Sequence, residues 1–137
     1  MNANVFLQFN GNCKEAFDFY SKATGCPLGM TMTYGDSPAS DQTPPEMKDK
    51  VIYTQLTVGD SVVMGCDSPP QFFATPQGFN LCVGVDTDED AERIFAGLSE
   101  GGHVVMPMEE TFFATRFGML KDKFGTPWMV IHTKMPG

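Results

Sequence analysis

The 137-residue sequence is short of basic residues, with nine Lys and Arg against seventeen Asp and Glu and a formal net charge of −8. Nucleic acids and anionic membrane surfaces carry dense negative charge that Lys and Arg must neutralise, so neither is an expected partner. Long apolar runs are missing too: no stretch approaches the roughly 20 residues that a membrane helix needs. The start MNANVFLQFNGN has neither a basic segment nor a small-residue cleavage pattern, which makes the cytoplasm the expected location. Cys13, Cys26, Cys66 and Cys82 form no Cys-x-x-Cys pair, so neither a disulfide framework nor a zinc ribbon is suggested, and they read as small buried thiols. Histidine is restricted to His103 and His132, and no carboxylate stands at a recognisable ligand spacing beside either. Both read as strand-end residues.

What is present is ordinary globular composition, 42% hydrophobic and 19% charged. A chain of this length suits one domain with a real core, here residues 1–137. Periodicity gives a strand at Val5 to Phe9, then Asn12 before a helix in which Cys13, Ala16, Phe17 and Tyr20 share one face and Gly25 follows the end. A strand from Leu28 to Tyr34, a Pro/Ser/Asp loop from Gly35 to Asp49, and the strands VIYTQLTV and SVVMGCD complete the first half; Val58 to Ser61 carries a hairpin signal. The second half repeats the order. It runs from a strand at Asn80 to Val85 through a helix with Ala91, Ile94, Phe95 and Leu98 on one face, then strands at His103 to Met106, Ala114 to Leu120 and Pro127 to Thr133. The expected fold is therefore α+β, two tandem β-α-β-β-β modules at about 1–68 and about 78–137 that form a curved mixed sheet with a cleft.

Candidate acids are Asp67, Glu109 and Glu110, each able to act as a base or meet a cation, although strand-end and loop acids are usually solvated. In the stretch from Glu109 to Met129, Phe124-Gly125-Thr126-Pro127 reads as a turn, and Trp128 faces away from Met129, beneath a helix. Thr111, Phe112, Phe113 and Arg116 fall on a loop and strand entry, where aromatics line a cleft mouth, a dimer contact or the core.

Three segments in this order, FNGNCKEAFDFY, EETFFATRFG and DKFGTPWM, resemble the PhnB-like branch of the vicinal-oxygen-chelate superfamily, which includes glyoxalases, extradiol dioxygenases, and fosfomycin- and bleomycin-resistance proteins. The resemblance implies paired β-α-β-β-β modules, homodimers, and a cleft on the concave sheet face where metal-dependent members place His, Glu or Gln around one divalent ion. Older labels for this branch mention a demethylubiquinone methyltransferase, but no glycine-rich cofactor loop follows the first strand. Carried over, the ligand positions fall at Val5, Met64, Asn80 and Met129, where valine and thioethers do not suit such an ion. No metal and no cofactor are therefore expected. If Val5 and Met129 face the cleft, alternation adds Leu7, Phe9, Cys66, Cys82 and Ile131, an apolar, soft lining with the one amide of Asn80 to orient a ligand.

The expected function is binding of a small organic molecule, cationic ligands among them, by a homodimer without a metal. Two alternatives stay open: a metal-dependent lyase, isomerase or dioxygenase with ligands such as Tyr53, Gln55, His132 or Glu110, and a dimeric scaffold whose cleft has lost its ligand.

Overall fold

Leu7 and Phe9 alternate with Phe6 and Gln8 along β1 (Val5–Phe9), and only the first pair is buried. The burying partner is α1 (Cys13–Thr24), whose apolar stripe Cys13, Ala16, Phe17 and Tyr20 is sequestered. Phe9, Phe17 and Tyr20 meet as rings, with Phe9 and Phe17 edge to face at 5.9 Å. Burial of each such side chain contributes roughly 1.5–3 kcal/mol. Gly25, in the left-handed conformation at φ 76°, ends the helix, and its N–H donates to the Ser21 carbonyl.

The computed structural model describes residues 1–134 and divides into two units, residues 1–74 and 75–137. In the first, β1 is followed by α1, β2 (Leu28–Thr33), β3 (Val51–Val58) and β4 (Ser61–Asp67). Their sheet order is β1-β4-β3-β2, with β1 and β4 parallel and the other neighbours antiparallel. Only Gly59 and Asp60 separate β3 from β4; Gly59 has φ 59° and Asp60 a negative φ, the pattern of a type II′ hairpin. Between β2 and β3 the long loop holds two short 3-10 turns, Ser40–Gln42 and Pro45–Met47.

The second unit repeats the plan with β5 (Leu81–Gly84), α2 (Asp88–Ser99), β6 (His103–Glu109), β7 (Ala114–Lys121) and β8 (Pro127–Thr133), in sheet order β5-β8-β7-β6. Ala91, Ile94, Phe95 and Leu98 are the buried face of α2, as their spacing predicts. Each unit thus carries its own four-stranded mixed sheet with one helix against it, and the fold class is α+β. Several strand ends move by a residue or more: β2 stops at Thr33, β5 runs only from Leu81 to Gly84, β6 continues through Glu109 and β7 through Lys121.

Glycine lets each helix approach its sheet. A Cβ on Gly65 in β4 would sit 2.5 Å from the Phe17 ring, and one on Gly118 in β7 would sit 2.6 Å from the Phe95 ring. Both glycines therefore admit an aromatic that any side chain would displace.

Candidate functional site

Which side chains can meet a ligand depends on strand face, and the β1–β4 register decides it for the first unit. Phe6 stands opposite Met64 and Gln8 opposite Cys66, while Val5, Leu7 and Phe9 stand opposite Val63, Gly65 and Asp67. Gly65 lies under Phe17, so Val5, Leu7 and Phe9 belong to the helix face, and Leu7 and Phe9 are only 3% exposed. This corrects the expectation that these three line a cleft with Met64 and Cys66. The physical reason is a slip of one residue, which reverses every side chain in a period-2 strand. VFLQF carries large apolar residues on both faces, so its alternation does not identify the buried one.

The open face of the first sheet instead presents Phe6, Gln8, Met64 and Cys66, joined by Tyr53 and Gln55 of β3. Tyr53 Oη donates to Gln55 Oε1 at 2.7 Å, and the Phe6 and Tyr53 rings lie 6.3 Å apart. A Cβ on Gly29 would sit 2.7 Å from the Gln55 side chain, so β2 stays clear of this pair only because position 29 is glycine. In the second unit, Cys82 stands opposite Met129 and Gly84 opposite Ile131, on the face away from Trp128 and Val130. Trp128 is buried at 1% exposure. Asn80 precedes the strand and is half-buried. Loss of surrounding water raises the thiols of Cys66 and Cys82 above their ordinary value, which keeps both protonated at neutral pH.

The candidate acids resolve into different roles. Asp67 is buried, and its carboxylate accepts from the backbone N–H groups of Gly11 (3.0 Å), Cys13 (2.9 Å) and Val51 (3.0 Å). With every oxygen engaged, it joins β4 to the start of α1 and to β3. Glu109 is the last residue of β6 and is exposed. Glu110 pairs with Lys134 at 2.9 Å, and that contact holds its carboxyl below the usual range. Buried Asp122 accepts from the N–H groups of Phe124 and Thr126 and from the Trp128 indole, so the turn between β7 and β8 is held from within. Phe112 and Phe113 pack edge to face, and Phe112 is 92% exposed.

His132 is on the helix face of β8, where Asp88, the first residue of α2, approaches it. Asp88 Oδ1 lies 2.8 Å from His132 Nδ1 and accepts from the Thr115 hydroxyl at 2.6 Å, with Arg116 beside the pair at 3.9 Å. These contacts, first Thr115, then His132 and Arg116, lower the Asp88 carboxyl below its ordinary value. The carboxylate was invisible from residue spacing because it comes from 44 positions away. His103 opens β6 and is exposed. Among the described residues, no group of three or more His, Cys, Asp or Glu is placed to hold a metal ion.

No motif in the sequence marks a cavity of about 810 Å³ in the first unit, bounded by the loop after β2, the turn before α1 and residues 68–71. Its sequence signal is the 15-residue loop Gly35 to Asp49, longer than an ordinary connection. Among the described residues no helix is long and apolar enough to cross a membrane.

The family model described as 3-demethylubiquinone-9 3-methyltransferase matches residues 2–131. Protein YjdN from Escherichia coli (strain K12) is 32% identical over 138 residues, covering 95% of this chain and 94% of the relative. Two solved structures superpose over 96% of the chain. Protein PA1353 from Pseudomonas aeruginosa has a TM-score of 0.84 with 38% identity and 98% of its own length covered. The putative 3-demethylubiquinone-9 3-methyltransferase, PhnB protein, from Bacillus cereus has a TM-score of 0.77 with 27% identity and 99% covered. At the level of fold alone, the glyoxylase/bleomycin resistance protein/dioxygenase domain from Frankia sp. EAN1pec gives a TM-score of 0.64 at 13% identity, covering 98% of each chain. With this match along nearly its whole length, the chain belongs to the PhnB-like family, on the glyoxalase/bleomycin-resistance fold of the vicinal-oxygen-chelate superfamily.

Proposed function

We propose that this protein binds a small organic molecule on the open sheet faces without a metal, acting as a cytoplasmic homodimer. The observation that carries this reading is the matched lining of the two units: Phe6 with Met64 in one, Cys82 with Met129 in the other. Aromatic, thiol and thioether groups provide soft apolar contact area, and Gln8, Tyr53 and Gln55 supply hydrogen bonds that orient a ligand. The fold family implies a divalent ion, yet the donor set at these positions does not fit one. Phenylalanine has no donor, and thioethers favour soft ions over the hard or borderline ones. The net charge of −8 favours a cationic ligand.

A methyltransferase reading draws less support. Such a cofactor needs free backbone N–H groups in a glycine-rich turn, whereas the turn here is Asn10-Gly11-Asn12 and the N–H groups of Gly11 and Cys13 are already given to Asp67. For the dimer, support comes from exposed apolar residues on the edge strands β2 (Leu28 and Met30) and β6 (Val104, Val105 and Met106), which a second copy would cover.

The test combines elemental analysis of protein purified without chelator or metal-affinity tag with binding of 1-naphthylmethylamine as a cationic apolar probe. The expected result is far less than one metal per chain and saturable binding that EDTA leaves unchanged and Met64→Lys weakens. Near one metal per chain, with binding lost to chelator, would overturn the reading in favour of metal-dependent chemistry. Light scattering checks the dimer; a monomer at micromolar concentration would refute that part.

A further inference from the structure

Strand register draws a row of sulfur across the open face of the second sheet. Cys82 of β5 stands opposite Met129 of β8, Met129 opposite Met119 of β7, and Met119 opposite Met106 of β6. Residues opposite one another share a face, so one thiol and three thioethers follow each other at strand spacings of about 4.8 Å. None of them is buried: Cys82 and Met106 are exposed, and Met119 and Met129 are half-buried. Apolar packing alone does not call for sulfur here. The neighbouring row of the same sheet reads Leu81, Trp128, Leu120 and Val104, without sulfur. In the first unit the matching row runs Phe6, Met64 and Gln55, so the enrichment belongs to the second unit and not to the shared plan. No side-chain oxygen or nitrogen interrupts the row. Its flanking pairs on this face are Lys121 with His103 on one side, and Ile131 and Phe117 with Glu109 on the other.

We infer that Cys82, Met129 and Met119 form a binding site for a soft monovalent cation, Cu(I). Thiolate and thioether sulfur select Cu(I) over the hard and borderline divalent ions that the donor set above does not fit. Met129 lies between the other two, and the three backbones span about 10 Å, or two strand spacings. Unbranched thioether side chains with three rotatable bonds close that distance around one ion. On binding, a copper–sulfur bond replaces the Cys82 S–H bond, the proton leaves to solvent and copper stays monovalent. The inference goes beyond the organic-ligand reading: it concerns the second sheet alone, whereas the Met64→Lys test of that reading lies in the first.

The experiment starts from the full chain, anaerobic and free of thiol reductants, and supplies Cu(I) in competition with bicinchoninate. The protein should withdraw about one Cu(I) per chain from the dye. Methionine methyl NMR of the loaded protein should show the Met119 and Met129 signals shifted and that of Met64 unmoved. Cys82→Ser should weaken binding about 100-fold and Met119→Leu or Met129→Leu about tenfold each, since each removes one soft ligand. Leucine keeps the apolar volume, so a loss in those two variants reads the sulfur and not the packing. Cys66→Ser, in the first sheet, should stay within about twofold of wild type. The inference is overturned if no Cu(I) is held against the dye, if Cys66→Ser weakens binding as much as Cys82→Ser, or if neither leucine variant has an effect, which would leave a lone thiol. Methyl shifts confined to Met30, Met32 and Met64 would place the ion on the first sheet and overturn it as well. None of these outcomes alters the naphthylmethylamine result at Met64, so the two readings fail separately.

Discussion

The two units fasten the helix to the central strand at corresponding places by opposite chemistry. Aligning Phe6–Met64 with Cys82–Met129 brings Asp67 onto His132. In the first unit a buried carboxylate accepts backbone N–H groups at the start of α1, and the Asn12 side chain makes no capping bond. In the second an imidazole meets the Asp88 carboxylate at the start of α2, which has its own cap because Thr87 Oγ1 accepts from the Asp90 N–H at 3.0 Å. The first junction is buried and carries three bonds to one residue; the second is half-exposed and shared among several. The glycine under the helix aromatic also changes strand, from Gly65 opposite Thr54 to Gly118 opposite Val130. Corresponding positions thus keep the mechanical task and not the residue type.

The contrast can be broken most severely at Asp67. Asp67→Ala strands three N–H groups, two of them buried, and should cost about 3–5 kcal/mol, read as a lowered urea midpoint. A loss under about 1 kcal/mol, the range of a simple cap, would mean the carboxylate is dispensable. Gly65→Ala and Gly118→Ala should each cost about 1–3 kcal/mol by the same assay, since Phe17 and Phe95 must move. If only one of them destabilises, the glycines do not share the packing role. Thr87→Ala should cost about 1 kcal/mol by removing the local cap. Asn12→Ala should fall within about 0.5 kcal/mol of wild type, and an equal loss in both would erase the asymmetry between the helices. The smallest effect concerns pH. Because Asp88 is held below its ordinary value when folded, its contribution is present above about pH 4 and fades as the pH falls toward the folded value. Asp88→Asn should flatten that part of the acid unfolding profile, and an unchanged profile would dissociate Asp88 from Thr115 and His132.

Most of the architecture was legible because the helical stripes at Cys13–Tyr20 and Ala91–Leu98 and the turn signals Gly59-Asp60 and Asp122–Thr126 are local. Faces were legible where one side of a strand is distinctive. Trp128 against Met129 was read correctly, while Val5, Leu7 and Phe9 were placed on the wrong side because Phe6 lies among them. The burial of Asp67 and the meeting of Asp88 with His132 could not be read, since the bonds to Cys13 and between Asp88 and His132 join residues 54 and 44 positions apart. For the cavity, loop length was the available cue, but its walls exist only once residues 10–12, 34–50 and 68–71 are brought together by folding.

The buried carboxylate between β4 and α1 also has a temporal meaning. While the chain is being synthesised, α1 is complete long before residue 67 exists, so the group that holds its N-terminus is absent when the helix first could form. Helices of its 12 residues are marginal alone in water, and the contact that secures the start of α1 comes from 54 residues away. α2, of the same length, carries its cap three residues from the N–H it serves. The repeated plan thus secures one helix start from a distant strand and the other from the adjacent residue.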